Sequence, residues 1–385
     1  MTPTAAPARH STPARLVELD VLRGFLLLWM TLTHLPTRAS IISNQTFGFV
    51  SGAEGFIFLA GFMIGQLEHR VERRGGWNAT LRDLRKRVLR VYTYHAALVA
   101  ITFTIVAAIA VHYHRLGLEN LLSFYLAHPK RAIVAALILK YRPSLLDILP
   151  MYVLFLALTP LARWVARRAG WDPVVYTSFA IWAIAQFGFR HWVHLHFDPL
   201  HLGVPEDSTG AFDTWAWQLL WMVGLALGSI YSDQIVGSDS PDAAPHRIPP
   251  LLTRASVWVA LVFLVLRYSP VDHWMDPDSY GWLIDKWHLG PARVINFAAI
   301  TLVVVRFGEK VASLAIFQPL ALLGRASIEV FSVHVLCCLA GHSLSADADP
   351  NYPGWVQLIL LVGTVAALFL TAQLQARRAV RRKRA

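Results

Sequence analysis

The sequence predicts an all-α integral membrane protein with about ten transmembrane helices. Of its 385 residues, 55% are hydrophobic and only 15% are charged, whereas soluble proteins carry about 25% charged residues. The mean hydropathy is +0.46, and apolar runs long enough for membrane helices recur along the chain. These runs are continuous and do not alternate with a period of two, which excludes an outer-membrane barrel.

Ten spanning helices are expected in order along the chain. Their predicted ranges are 16–36, 48–69, 84–112, 145–166, 173–193, 212–232, 252–268, 292–309, 318–344 and 354–376. The apolar runs that support them most directly are 19–35, 153–162, 215–230, 256–266, 297–305 and 356–370. Between the third and fourth helices, the apolar stretch 132–139 is too short to cross a bilayer, so we interpret region 113–144 as re-entrant or interfacial.

The distribution of positive charge predicts the orientation. Cytoplasmic loops are enriched in Lys and Arg, and with the N-terminus inside, 23 of the 35 Lys and Arg residues fall in cytoplasmic segments. We therefore expect a disordered cytoplasmic tail at 1–15, a membrane domain at 16–376 and a basic cytoplasmic tail at 377–385. Residues 1–14 also lack the apolar stretch of a cleavable signal peptide. This bias explains the net charge of +11 without a nucleic-acid partner.

Arg23 and His34 are the most informative residues, because both lie inside the apolar run 19–35. Eleven residues are about three helical turns, so both side chains share one face, roughly 16 Å apart along the axis. An ionisable residue inside a membrane helix is costly and marks a functional site. The predicted orientation places Arg23 near the cytoplasmic end of its helix and His34 near the external end.

Several ordered motifs resemble one family. They are Leu19-Asp20-Val-Leu-Arg23-Gly24 followed by His34, residues 48–61 around Glu54, Asp147-Ile-Leu-Pro150-Met-Tyr152, Trp217-Gln218, residues 289–297 with Arg293 and Asn296, and residues 323–334 with Arg325, Glu329 and His334. From about residue 16 to 345 the chain resembles the OpgC-type membrane acyltransferases, relatives of the acyltransferase-3 superfamily. The resemblance implies a multi-pass enzyme of the bacterial inner membrane. It would move an acyl group, expected to be succinyl, from cytoplasmic acyl-CoA (succinyl-CoA or acetyl-CoA) to a hydroxyl of a periplasmic glycan such as an osmoregulated glucan. A homodimer is compatible with it.

The resemblance also implies roles for residues. His34 matches the catalytic histidine, Arg23 its companion arginine and Glu54 the acid of the second helix, with Asp20 beside them; the chain has Ala60 where the family often has Ser. Imidazole is a suitable base for a sugar hydroxyl, although a histidine at a helix end can also serve only as a hydrogen-bonding group. Both direct transfer and an acyl-imidazole on His34 remain open.

Arg23 and Glu54 each have a structural alternative. A guanidinium suits a phosphate or the donor's thioester carbonyl, but Arg23 could also pair with Asp20, three residues back on the same face. Glu54 could orient His34, bind an acceptor hydroxyl, or serve as an ion-pair partner for Arg23 or Arg325. Small neighbours of Glu54 predict that another helix approaches closely there.

The predicted substrate-binding residues are Asp147, Tyr152, Trp217, Arg293, Asn296, Arg325 and His334. Arg325 and Glu329 are four apart and predict an ion pair on one helix, while His334, on the opposite face, either contacts the acceptor or packs. Asp147 and Tyr152 bracket Pro150, which predicts a kink lining a cavity; alternatively Asp147 caps the helix. Arg293 and Asn296 open a helix, where an anion could bind.

Arg85, Arg87 and Arg90 are predicted to hold the phosphates of the donor, although the positive-inside bias explains them equally well. We expect no metal, because the histidines of the external segment 190–201 have no accompanying cysteine ligands. A transporter or flippase for a polar or lipid-linked solute is the main rival function, because it would also need charges within the membrane. A sensor or scaffold is a third alternative.

Overall fold

The computed structural model describes residues 17–237, 249–270 and 275–384, and it is entirely helical within those ranges, without strands. The predicted tail 1–15 lies outside them. The α-helices are α1 Val17–His34, α2 Ala39–Ser43, α3 Gly52–Ile101, α4 Ala107–His112, α5 Leu116–Leu121, α6 Ser123–Ala127, α7 Pro129–Leu137, α8 Ile148–Ala169, α9 Asp172–Ala185, α10 Phe189–His196, α11 Thr214–Gly237, α12 Pro250–Tyr268, α13 Pro277–Ile284, α14 Pro291–Ala312, α15 Leu320–Arg325, α16 Ser327–Ser343 and α17 Gly354–Arg384. A π-helical turn, Thr102–Val106, joins α3 to α4.

Within the described residues, four helical stretches are long and apolar enough to cross a membrane, fewer than the predicted ten. They are Gly52–His112, Ile148–Ala169, Pro250–Tyr268 and Gly354–Arg382. Other predicted spans are polar or short: α1 carries Glu18, Asp20 and Arg23 within its 18 residues, and α9 has only 14. Their polar residues form much of the site described below.

Gly76 divides the longest helical stretch into two arms. Its φ of 71° and ψ of −176° are non-helical, a conformation that suits glycine because it has no Cβ. On either side of it, Arg87 Nε lies 3.4 Å from Glu68 Oε1. Nineteen residues of straight helix would separate these residues by about 28 Å, so the chain folds back at Gly76. The predicted spans 48–69 and 84–112 therefore belong to two arms of α3, and the turn between them is this single glycine.

Two other predicted helices are interrupted. The predicted span 173–193 ends at Ala185, and Gly188 then adopts the left-handed region with φ 80°. The predicted span 318–344 breaks at Ala326, whose φ of −111° and ψ of 38° separate α15 from α16. Region 113–144 contains the three short helices α5 to α7, of which the longest has nine residues, too few to cross a bilayer.

Small residues bring the helices of the site close together. A methyl group on Gly24 of α1 would lie 1.9 Å from the carbonyl oxygen of Leu320, and one on Gly324 would lie 1.9 Å from that of Asp20. The backbones of α1 and α15 are therefore in contact at the level of Asp20 and Arg23. In the same way Gly61 of α3 faces the backbone of Trp221 in α11, which confirms the predicted close approach of a helix near Glu54.

Candidate active site

His34 lies beside a second histidine. It is the last residue of α1, and its ring stacks on that of His334 in α16, with centroids 5.5 Å apart and an interplanar angle of 11°. His334 is only 1% exposed. Among the described residues, no partner hydrogen-bonds either ring nitrogen of His334, whereas the His34 ring interacts with the Met30 backbone one turn earlier in α1. Buried polar atoms are nearly always satisfied, so His334 has hydrogen-bonding capacity available for a substrate.

Lys286 is a cation that acts electrostatically on His34. It lies in the loop between α13 and α14, close enough to influence His34, and also Glu54, Arg293 and Asp147. Burial lowers the pKa of Lys286, whereas the Glu54 carboxylate acts in the opposite direction. The sequence contains no motif that marks Lys286, which sits in a short loop among ordinary polar residues.

Glu54 is fully buried and its carboxylate is fully occupied by the protein. Its Oε2 accepts hydrogen bonds from the backbone N–H of Ser51 at 3.0 Å and from the Ser51 hydroxyl at 2.5 Å, which makes a capping box at the start of α3. Its Oε1 accepts from Arg293 Nε at 3.0 Å and from Arg293 Nη2. The predicted structural partners of Glu54 were Arg23 and Arg325; the observed one is Arg293, and both members of the pair are 0% exposed.

The start of α14 is therefore next to a carboxylate of the protein itself, that of Glu54. Arg293 also donates from Nη1 to the carbonyl of Ile284 at 3.3 Å, so Glu54 occupies the position predicted for a bound anion. One turn later, Asn296 Oδ1 accepts the backbone N–H of Phe49 at 2.9 Å. Asn296 is 0% exposed, and it ties the loop before α3 to α14.

Arg23 and Asp20 form a second cluster towards the other end of α1. The helix is continuous from Val17 to His34, which confirms the spacing of about 16 Å along the axis between Arg23 and His34. Arg23 donates from Nη2 to the Ser327 hydroxyl and from Nη1 to the Met63 sulfur at 3.3 Å. Asp20 is 0% exposed and lies 3.3 Å from Arg325 Nε.

The predicted ion pair between Arg325 and Glu329 is wrong, because the two residues are on different helices. The break at Ala326 removes the helical spacing that would have placed them together. Glu329 instead pairs with Arg90 Nη2 at 2.5 Å and accepts a hydrogen bond from the Tyr94 hydroxyl at 3.0 Å. Glu329 thus joins α16 to the second arm of α3.

The other arginines predicted to hold donor phosphates differ in their surroundings. Arg87 Nε lies 2.6 Å from Asp83 Oδ2, as well as near Glu68. Arg85 is exposed. Arg87 and Arg90 are therefore engaged with carboxylates of the chain itself, which reduces their capacity to bind phosphate.

The remaining predicted substrate residues are tied to the protein. Pro150 falls in the first turn of α8, where its missing N–H breaks no helical hydrogen bond, so the predicted kink is wrong. Asp147 makes no side-chain cap for α8; its Oδ2 accepts the backbone N–H of Ala211 at 3.1 Å. The Tyr152 ring packs edge-on against Trp221, with centroids 5.0 Å apart. Trp217 is 0% exposed and donates its indole N–H to the carbonyl of Trp287 at 3.1 Å.

The structure thus brings the predicted residues into two groups at opposite ends of α1. His34, His334, Glu54 and Arg293 lie at one end with Lys286, and the group with Asp20, Arg23, Arg325 and Glu329 lies at the other. No cluster of three or more potential metal ligands occurs in the described ranges 17–237, 249–270 and 275–384.

Comparison with known proteins identifies one family. The sequence model described as OpgC protein matches residues 15–380. No curated protein and no solved structure matches the chain.

Proposed function

The chain belongs to the OpgC protein family, whose model matches nearly its whole length, and from this premise we propose that it is a multi-pass O-acyltransferase of the bacterial inner membrane. Family membership implies a membrane acyltransferase that acts on glucans. Our proposal adds three details to this activity. The donor is cytoplasmic acyl-CoA, the acyl group is succinyl, and the acceptor is a hydroxyl of a periplasmic glucan.

The stacked pair of His34 and His334 is the observation that carries the proposal. In the proposed reaction, a ring nitrogen of His34 takes the proton of the acceptor hydroxyl while that oxygen attacks the thioester carbonyl. The carbon–sulfur bond then breaks, and the leaving thiolate takes the proton from His34, which leaves an ester and free CoA thiol. His334 positions the His34 ring by stacking, because the two planes are nearly parallel.

Lys286 and Arg23 take different parts in this scheme. The oxyanion that forms on the attacked carbonyl needs a positive group nearby, and the proposal assigns this part to Lys286, whose charge acts on His34. Arg23 is about 16 Å from His34 along α1, too far to contact the same carbonyl. It suits a part of the donor that lies further from the thioester. Glu54, whose oxygens are occupied, positions Arg293 and the start of α3.

The test is transfer by purified protein in lipid. Radiolabelled succinyl-CoA or acetyl-CoA is supplied with glucans, and the native chain is compared with His34→Ala and with His112→Ala, an exposed histidine on α4. We expect His34→Ala to lower kcat/KM by about 100-fold or more, the usual share of a general base, and His112→Ala to match the native chain. Equal turnover by His34→Ala would remove the proposed role of His34. No transfer from either donor would refute the acyl-CoA assignment.

A further inference from the structure

Two tryptophan–arginine pairs line a cavity near the Gly76 turn of α3. Trp77 follows the Gly76 turn of α3, and Trp164, Arg167 and Arg168 lie in the last turns of α8. Together they surround a cavity of about 340 Å³, here called the Trp–Arg pocket. This volume lies within the range of small-molecule sites.

Each arginine of the Trp–Arg pocket is stacked on an indole. The guanidinium carbon of Arg167 lies 4.9 Å from the ring centroid of Trp77, and that of Arg168 lies 4.1 Å from that of Trp164. A guanidinium over an aromatic face can still direct N–H groups at phosphate oxygens. The indoles also provide surfaces on which a planar base can stack.

A second cavity of about 310 Å³ shares Arg167 with the Trp–Arg pocket and is also rich in arginine. Arg73 and Arg163 line it together with His69, Glu72 and Asp233. Glu72 pairs with Arg163 Nη2 at 2.5 Å and with Arg167 Nε at 2.9 Å. No described acid lies within ion-pair distance of Arg73 or Arg168. Four arginines thus line the two cavities against two carboxylates, and the positive charge that remains unpaired among the described residues lies on Arg73 and Arg168.

We propose that these joined cavities bind the nucleotide part of the acyl donor, with its base against the indoles and its phosphates on Arg73 and Arg168. The inference rests on the proposed acyl-CoA donor and locates the donor's binding site. A phosphorylated aromatic ligand matches both features of the pocket, whereas a simple phosphate needs no stacking surface.

The position of the joined cavities agrees with a donor whose acyl end extends from the cytoplasmic side along α3 towards His34. His69, which lines the second cavity, and Glu54 are on the same uninterrupted arm of α3, fifteen residues and about 22 Å apart. The donor's flexible arm would extend along this arm, past Arg23 beside Met63, towards His34. The charge distribution predicts that the cavities face the cytoplasm, where the donor is found. Arg87 and Arg90 lie outside the cavities and are already paired with carboxylates.

Binding to the full-length protein in neutral phosphatidylcholine nanodiscs tests the site. CoA, 3′,5′-ADP and adenosine are titrated by calorimetry against the native chain, Trp77→Leu and Arg168→Gln. Arg377→Gln is the matched control, because it removes an exposed arginine outside both cavities. Melting temperatures establish that each variant is folded. The same titrations are repeated in nanodiscs with anionic phosphatidylglycerol.

We expect CoA and 3′,5′-ADP to bind the native chain and adenosine to bind far more weakly. Trp77→Leu and Arg168→Gln should each weaken CoA binding by about tenfold or more, the scale of one lost stacking or two-pronged phosphate contact, while Arg377→Gln changes it by less than about threefold. In transfer assays, Arg168→Gln should raise KM for the donor and leave kcat unchanged.

Two results would overturn the site, and each is distinct from failure of the donor assignment. Native-like CoA affinity in both variants would place the donor elsewhere and leave the donor assignment intact. Competition between phosphatidylglycerol and CoA, with loss of lipid binding but not of turnover in the variants, would make the cavities a lipid headgroup site. If no CoA binds and no transfer occurs, the proposed function itself is wrong.

Discussion

Breaking the buried pair of Glu54 and Arg293 should destabilise the protein far more than removing the pair as a whole. Both side chains are 0% exposed and are joined by two hydrogen bonds to Glu54 Oε1. Glu54→Gln leaves a buried guanidinium without its countercharge, and Arg293→Met leaves a buried carboxylate. Such uncompensated charges cost about 3–5 kcal/mol, whereas exchanging both members of a buried pair is often nearly neutral.

The expected shift is large enough to measure in detergent or lipid. At about 2–3 °C per kcal/mol, each single variant should melt roughly 6–15 °C below the native chain. The double variant Glu54→Gln/Arg293→Met should recover much of that loss. Unfolding can be followed by a thiol-reactive dye, because Cys338 is 0% exposed in the folded protein.

A double-mutant cycle gives the outcome that refutes this reasoning. If the double variant melts as low as the sum of the two single losses, the two residues do not stabilise each other. Arg85→Gln, at an exposed position, controls for the loss of an arginine. Acyl transfer by the folded double variant distinguishes a structural role of Glu54 from a chemical one. Native turnover would limit Glu54 to positioning, whereas loss of turnover would indicate that Glu54 takes part in the chemical step.

Two further changes should have measurable effects. Gly324→Val should lower the melting temperature by several degrees and reduce transfer, because even a methyl group there would lie 1.9 Å from the carbonyl oxygen of Asp20; native stability in thermal unfolding would contradict the observed contact between α1 and α15. His288 has its pKa raised, chiefly by a hydrogen bond to Asp285, so the pair's stabilisation is fully present below about pH 6.5 and is lost as the pH rises through the raised pKa. Because His288 is 41% exposed, His288→Gln should cost only about 0.5–1 kcal/mol at about pH 5.5 and less at about pH 8.5, and an equal melting difference at both values would oppose this assignment.

Several polar residues of the site could be predicted from the sequence, but Lys286 and most of the partners could not. Charges inside an apolar run identified Arg23 and His34, and the family resemblance added Glu54. Which helix lies opposite each charge depends on packing between segments hundreds of residues apart. Arg293 and Glu54, or His34 and His334, have no local signal that relates them.

Backbone breaks account for the other differences. Residues 318–344 are mostly apolar apart from a few polar residues such as Arg325, Glu329 and His334, so the sequence predicts one helix, and the break at Ala326 is not marked by proline or glycine at that position. Gly76, by contrast, could have been recognised, because Gly75 and Gly76 stand between two apolar segments. The pattern Ser51-Gly-Ala-Glu54 is likewise the sequence signature of a capping box.

The break at Ala326 also has a mechanical consequence. It lets α16 take a position of its own relative to α15, and α16 is tied near its start to α1 through Arg23 and Ser327 and to the second arm of α3 through Glu329 and Arg90. His334 follows Glu329 by five residues on the same helix, about 7.5 Å along its axis. The ring that stacks on His34 therefore belongs to a helix whose start is attached to two neighbouring helices, so a change at either attachment would alter the alignment of the two imidazoles.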